Sequence, residues 1–175
     1  WWDDRRAQAR QVPLPAAAAA LEAEGVRVLH NDAVHVKHQG RGFAVAGLGD
    51  QFAFRPGMGL PAWGAGGTDD LGATLDAARG HGPILLLAHE PDIFPRVPAD
   101  VAVTFSGHTH GGQVRIAGFT PIVPSRYGHR YVYGHIEEDG RHLVVSAGLG
   151  CSWWPVRFGV PAEIVMVQLG GDAPV

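Results

Sequence analysis

Several features common in other protein classes are missing from this sequence. It has one cysteine, Cys151, so no disulfide can form within the chain. Its longest apolar runs, at 16–21 and 84–88, fall far short of the roughly 18 residues that span a bilayer. It has no basic run, and 14 Lys and Arg stand against 17 Asp and Glu. These absences exclude a disulfide framework and a membrane-spanning segment in these residues, and they leave no electrostatic argument for nucleic acid beyond a local patch around Arg126 and Arg130.

The composition predicts one folded domain. The 175 residues are 46% hydrophobic, which is enough for a core of their own, and we treat 1–175 as a single domain. We expect Cys151 to be a small buried hydrophobe. The chain begins at Trp1 without an initiator methionine or a signal-like start, and we expect residues upstream of it.

The order of helix and strand signals indicates an α/β fold. Proline near the start and glycine after the end predict a helix from Leu14 to Glu24, and a second helix is expected over 70–79, capped by Thr68 or Asp69. The wholly apolar run 83–88 is typical of a strand buried on both faces. A Gly-, Pro- and aromatic-rich stretch, 52–67, is interpreted as a loop bordering a site. The other strands are predicted at 26–29, 33–36, 43–46, 101–105, 131–136, 141–145 and 163–169.

Two predicted core strands are each followed at once by histidines. His89 follows the first, and Ser106-Gly107-His108-Thr109-His110-Gly111-Gly112-Gln113 follows the second. On an extended backbone, His108 and His110 project to the same side, and the flanking glycines allow close approach to an ion. Packing favours apolar residues at such positions, so we expect these loops to meet in one metal pocket at the carboxyl edge of the sheet. The remaining histidines have no such framing.

Three imidazoles suit Mn, Fe, Zn or Ni, and a pair of such ions can clamp both oxygens of a phosphoryl displacement. Three neutral ligands offset little of the charge on two cations, so carboxylate or amide ligands are also required. The local carboxylates are Asp50, Glu90, Asp92 and Asp100, of which the last two are better explained as turn and capping residues.

Five stretches of the sequence resemble the calcineurin-like metallophosphoesterases. The likeness is greatest to a bacterial branch of predicted membrane-associated phosphohydrolases, which includes phosphodiesterases and some UDP-2,3-diacylglucosamine hydrolases. The stretches are Leu-Leu-Leu-Ala-His-Glu-Pro-Asp at 85–92, Ser-Gly-His-Thr-His-Gly-Gly-Gln at 106–113, Ser-Ala-Gly-Leu-Gly at 146–150, Pro-Val-Arg-Phe at 155–158 and Pro-Ala-Glu-Ile at 161–164. The resemblance implies the C-terminal portion of a four-layer α/β/β/α sandwich with mixed β-sheets.

By the same resemblance, His89 and His108 bind the second metal and His110 the first. The family's earlier blocks, Asp-x-His, Gly-Asp-x-x-Asp and Gly-Asn-His-Asp, have no counterpart here. Trp1-Trp2 resembles the residues that come directly after the Gly-Asn-His-Asp block in this family. The bridging aspartate, the asparagine ligand and the histidine that protonates the leaving group are therefore expected upstream of Trp1, and this chain alone is expected to be inactive.

The function implied is hydrolysis of a small phosphomonoester or phosphodiester by a hydroxide that bridges two divalent metal ions. Arg126 and Arg157 are weak candidates for substrate binding, and Arg157 would serve equally well to anchor a loop through carbonyl groups. Two alternatives stay open: a non-catalytic metal-binding or interaction domain, and a mononuclear zinc hydrolase with three histidines. We expect a cytoplasmic or membrane-associated protein of a bacterium, and the substrate and oligomeric state are left undetermined.

Overall fold

A computed structural model describes residues 14–38, 40–52, 67–152 and 154–170. Two helices and six strands form a mixed α/β fold, which confirms the predicted fold class. The elements are α1 (Leu14–Ala23), β1 (Asp32–His38), β2 (Arg41–Gly47), α2 (Leu71–Ala78), β3 (Ile84–Leu87), β4 (Val101–Ser106), β5 (Gly134–Glu138) and β6 (Arg141–Val145). Short 3-10 helices cover Pro91–Arg96, His110–Gly112 and Gly128–Tyr131. None of the helices within these residues is long and apolar enough to cross a membrane.

All six strands belong to one sheet with the order β1-β2-β3-β4-β6-β5. The four inner strands are mutually parallel, and β1 and β5 pair antiparallel at the two edges. Parallel strands end at the same edge of a sheet, so the segments that follow β2, β3, β4 and β6 leave it side by side. This topology is what positions the site.

The core lies on one face of the sheet. There α2 and the 3-10 helix Pro91–Arg96 cover the small and branched side chains of the inner strands, and Phe94, Tyr131, Leu86 and Leu143 are wholly buried. Burial of side chains of this size contributes roughly 1.5–3 kcal/mol each. Arg141 links two of these elements, because its guanidinium donates to the carbonyl oxygens of Phe94 and Val97 at 3.1 and 3.0 Å.

The structure differs from the sequence-based expectations at several elements. The segment 26–29 is not a strand, because β1 occupies the edge of β2 and Leu29 instead packs on Gly47. In β3 only one face is buried, since Leu86 is fully enclosed whereas Leu87 is 43% exposed. The segment 163–169 forms no strand with any described residue. Asp70, not Thr68 or Asp69, caps α2, because its carboxylate accepts from the backbone N–H of Ala73 at 2.9 Å.

Cys151 is exposed, so its predicted burial is wrong. It lies on the loop after β6, and that loop is held at the surface by polar contacts of its neighbour Ser152. The predicted loop at 52–67 falls almost entirely on 53–66, outside the described residues, as do 1–13 and the tail from 171 onwards. The expected four-layer arrangement stays a prediction.

Candidate metal centre

The two histidine-bearing loops meet at the carboxyl edge of the sheet, as the sequence predicts. Hydrogen bonds continue the strand ladders into the loops: Ala88 N–H donates to Phe105 O at 3.0 Å, and Gly107 N–H donates to His89 O at 3.0 Å. The rings of His89 and His108 lie edge to face with their centroids 5.2 Å apart. The ring of Phe52 stacks on that of His108, with their centroids 5.5 Å apart.

The backbone that carries His108 and His110 is not extended, and in this respect the sequence-based interpretation is wrong. Both histidines have left-handed backbone, with φ values of +64° and +53°, and Thr109 between them is in the right-handed helical region. The loop therefore coils tightly back on itself. Left-handed backbone is costly for residues with a Cβ and persists where the surroundings enforce it.

Hydrogen bonds of Thr109 and Gln113 help to hold the loop backbone in this conformation. The Thr109 side chain is buried, and its hydroxyl donates to Val132 O at 2.8 Å. The Gln113 amide accepts from Ser152 N–H at 2.6 Å and donates to Trp154 O at 3.0 Å. Both residues belong to the sequence motif, but neither role was predictable from it, because their partners lie 23 to 41 positions away.

A carboxylate lies beside the histidines. Potential ligand atoms of His89, Glu90 and His108 all lie within 4.8 Å of one another, which makes these residues a candidate three-ligand metal group within the described chain. The Glu90 carboxylate is buried and accepts from the side-chain amide of Gln51 at 3.1 Å. Burial, followed by the nearby charge of Asp50, raises the Glu90 pKa to about 7.

His89 is favoured in its neutral form. Although one side of the imidazole is open to solvent, desolvation by the surrounding protein lowers its pKa. His110 is close enough to lower that pKa further by charge repulsion, while Asp50 opposes the shift. Neutral imidazole is the form that binds metal. The structure thus brings His89, His108, His110 and Asp50 into one neighbourhood, although metal binding by these residues stays a prediction.

The other carboxylates have structural partners. Asp92 is buried and accepts from Ser125 Oγ at 2.5 Å and from the backbone N–H of Arg126 at 2.9 Å. Asp100 accepts from Arg79 Nε at 3.0 Å. These bonds join residues far apart in the chain, so Asp92 and Asp100 have structural partners, but the contacts are not the turn and capping contacts expected from the sequence.

The two arginine candidates differ in their positions. The Arg126 side chain lies against Asp92, with its Nε 3.5 Å from the carboxylate. Arg157 donates to the carbonyl oxygens of Ala147 and Gly148, which fits the loop-anchoring role considered from the sequence. Its Nη2 is also 3.3 Å from His110 Nδ1, so of the two arginines it is the one in direct contact with a predicted metal ligand.

Comparison with known proteins also finds relatives whose names describe metal-dependent or phosphoester hydrolysis. The chain is 35% identical over 104 residues to an uncharacterized metallophosphoesterase, YkuE, of Bacillus subtilis, a match that covers 59% of this chain and 36% of the relative. It is 30% identical to the phosphodiesterase YaeI of Escherichia coli over 85% of this chain and 49% of the relative. It is 28% identical to the UDP-2,3-diacylglucosamine pyrophosphatase LpxG of Chlamydia trachomatis over 90% of this chain and 46% of the relative.

These matches span between about a third and a half of the relatives' own lengths. No family model matches the chain, and no solved structure matches it. The names of these relatives nevertheless agree with one another, since each describes an enzyme that acts on phosphate esters or anhydrides. Such an enzyme fits a histidine site at the carboxyl edge of a parallel sheet. The chain belongs to the calcineurin-like metallophosphoesterases.

Proposed function

We propose that this protein hydrolyses a phosphomonoester or phosphodiester with the help of two divalent metal ions. The observation that carries the proposal is the convergence of His89, His108 and His110, from the ends of adjacent parallel strands, on one neighbourhood that also holds Asp50 and Glu90. Imidazole and carboxylate together form the ligand chemistry that such ions prefer. We further propose that the ligands that complete a two-metal site come from outside the described residues.

The described residues fit a metal ion in two respects. Ligand atoms of two histidines and one carboxylate are already within 4.8 Å of one another, and the loop that carries His108 and His110 is closely packed at Gly111 and Gly112. A bound divalent ion would neutralise phosphate charge and lower the pKa of water. The chain's own contribution is to favour neutral His89, to pack the His108 ring against Phe52 and His89, and to place Arg157 beside His110.

Replacement of His108 tests the proposal. In the full-length protein, we expect His108→Ala to lower metal-dependent hydrolysis of bis-p-nitrophenyl phosphate by at least about 100-fold, because even residues that merely support a ligand cost 10–100-fold when removed. The matched control is His38→Ala, since His38 is exposed and pairs with Arg41 at the start of β2, at the edge of the sheet opposite the site. Activity retained in His108→Ala would contradict the assignment.

Metal content separates this function from its alternatives. Elemental analysis of the intact protein is expected to give two ions per chain that are absent from a His108→Ala/His110→Ala variant. One ion per chain would favour a mononuclear hydrolase, and tight binding without hydrolysis of any phosphoester would favour a metal-binding domain.

A specific observation favours an amphiphilic substrate. Four apolar side chains on the loop after β6 are strongly exposed, and Arg157, which contacts His110, lies among them. The segment 106–122, which begins with the histidine motif and which we call the metal-motif loop, adds three more exposed apolar side chains. Backbone hydrogen bonds between Arg115 and Phe158 and between Phe158 and Gln113 join the two loops. We call these seven residues the apolar rim: Ile116, Phe119, Ile122, Leu149, Trp154, Val156 and Phe158.

Exposed apolar groups gathered in one region often mark a binding surface. Because the similar LpxG is named for a diacylated sugar nucleotide, we propose that the rim receives the acyl chains of a lipid-linked phosphoester. The double variant Trp154→Ser/Phe158→Ser is expected to raise KM for a diacylated sugar nucleotide about tenfold or more, since it removes two large apolar contacts, and to leave hydrolysis of bis-p-nitrophenyl phosphate unchanged. Leu21→Ser on α1, also exposed, is the control. An equal effect on both substrates would argue against the rim.

A further inference from the structure

Two histidines on the β5–β6 hairpin form a pair outside the site described above. His135 Nε2 lies 3.1 Å from His142 Nδ1, and the two rings are nearly parallel, with their planes 22° apart and their centroids at 5.3 Å. His135 is exposed and His142 is half-buried. The metal-motif loop contributes neither residue, and the proposed hydrolysis uses neither.

The strand register places a carboxylate on the same face. His135 is opposite Val144 and Glu137 is opposite His142 in the antiparallel ladder. Residues two apart on a strand, and residues directly opposite on its neighbour, share one face. His135, His142 and Glu137 therefore project together from the hairpin, and Glu137 is exposed and able to rotate. Glu138, by contrast, points to the other face and binds Arg130 at 2.7 Å.

The spacing of the two nitrogens suits chelation of a single ion. Metal–imidazole bonds are about 2.0–2.1 Å long, so two nitrogens at 90–110° around one ion are separated by roughly 2.9–3.4 Å. The observed 3.1 Å lies within this interval. Without an ion, an N–H···N hydrogen bond holds the rings at the same distance. An ion that replaces the bridging hydrogen lies beside the line between the two nitrogens. Its binding therefore requires a change of tautomer in the donor ring, with the proton moving to its other nitrogen through solvent, and a rotation of both rings toward the ion.

The donor set defines the class of ion. Imidazole suits copper, nickel and zinc, whereas Mg²⁺ and Ca²⁺ require mainly oxygen ligands, and affinity among the divalent ions peaks at copper. β5 is an edge strand, so the pair is open to solvent. We propose that His135 and His142, assisted by Glu137, form a second metal-binding site, selective for Cu²⁺, Ni²⁺ or Zn²⁺, which cross-links β5 to β6.

The experiment titrates Cu²⁺ alone into the full-length protein, using the His108→Ala/His110→Ala double variant, which removes one proposed ligand from each of the two catalytic metal ions. We expect this variant to retain one bound Cu²⁺, with an electron paramagnetic resonance spectrum that shows coupling to two nitrogens. Adding His135→Ala or His142→Ala is expected to abolish binding of that Cu²⁺ ion, because a single imidazole cannot chelate it. Adding Glu137→Gln is expected to weaken binding while preserving the two-nitrogen signal.

His129→Ala added to the same variant is the control, because it removes an exposed histidine elsewhere and should leave the bound equivalent intact. In the wild-type background, His135→Ala is expected to leave phosphodiesterase activity unchanged, so failure of the proposed function and failure of this site are separate results. Equal Cu²⁺ binding with and without His135, or a spectrum with coupling to one nitrogen only, would overturn the proposal. Circular dichroism checks that each variant is folded.

Discussion

At the residue scale, the candidate site depends on unusual backbone as much as on its ligands. Gly112 has φ +81°, and a Cβ placed there would lie 1.9 Å from Cγ2 of the buried Thr120. Gly111 also has positive φ and faces Val160 and Ala147 closely. Gly111 and Gly112 are therefore required for packing of the loop.

Substitution of Gly112 tests this requirement. We expect Gly112→Ala to destabilise the protein by about 2–4 kcal/mol, because it combines left-handed backbone with a steric clash. Gly118→Ala is the matched control: Gly118 has φ +83° but nothing within 4 Å of the added Cβ, so it should cost only about 1–2 kcal/mol. The measurement is urea-induced unfolding of both variants. Equal losses would show that the Thr120 contact contributes nothing.

Candidate metal ligands were predictable from the sequence where a metal-binding type of residue directly follows an apolar strand. His89 and His108 follow apolar strands, and the expectation that their loops converge is confirmed by their contact. The left-handed backbone was not predictable, because Thr109 and its partner Val132 are far apart in the chain. The pairing of Gln51 with Glu90 was missed for the same reason, since 39 positions separate them.

At the element scale, local signals predicted the helices better than the strands. The boundaries of α1 and α2 follow from proline, glycine and acidic residues at the helix ends, and these act within a few positions. Strands need partners, which local patterns do not specify. The run 26–29 has strand-like alternation, but β1 takes the place beside β2, and the apolar run 163–169 has no partner strand among the described residues.

The N-cap of α2 gives a prediction at this scale. Asp70→Ala should destabilise the protein by about 0.5–2 kcal/mol, because Ala73 loses the acceptor for its backbone N–H. Asp69→Ala is the control and should change stability by less than about 0.5 kcal/mol, since Asp69 makes only a 3.7 Å ion pair with the exposed Arg96. Thermal unfolding of both variants measures the two losses of stability. A larger loss for Asp69→Ala would place the cap one residue earlier.

At the scale of the whole molecule, stability is expected to be uneven. The inner strands β3, β4 and β6 are bonded on both sides and border the core, whereas 164–169 is unpaired within the described residues and carries Ile164 and Met166 at 83 and 94% exposure. Local opening requires less free energy where backbone hydrogen bonds and buried contacts are few. The chain should therefore combine a slowly exchanging centre with a rapidly exchanging C-terminal segment.

Hydrogen–deuterium exchange of the chain measures this difference. Amides of β4 are expected to exchange at least about 100-fold more slowly than those of 164–169. Peptides covering β6, which is equally central, provide an internal reference. Strong protection across 164–169 would instead support the strand that the sequence pattern predicts there.

The coiled loop at His108–Gly112 also bears on how ligands bind. Its shape is maintained by the hydrogen bonds of Thr109 on one side and of Gln113 on the other. The conformational entropy of this loop is therefore lost when the chain folds. A metal ion that binds later finds imidazoles whose conformational freedom is already reduced. Affinity at this site should therefore depend on the packing of Thr109 and Gln113 as well as on the ligands themselves.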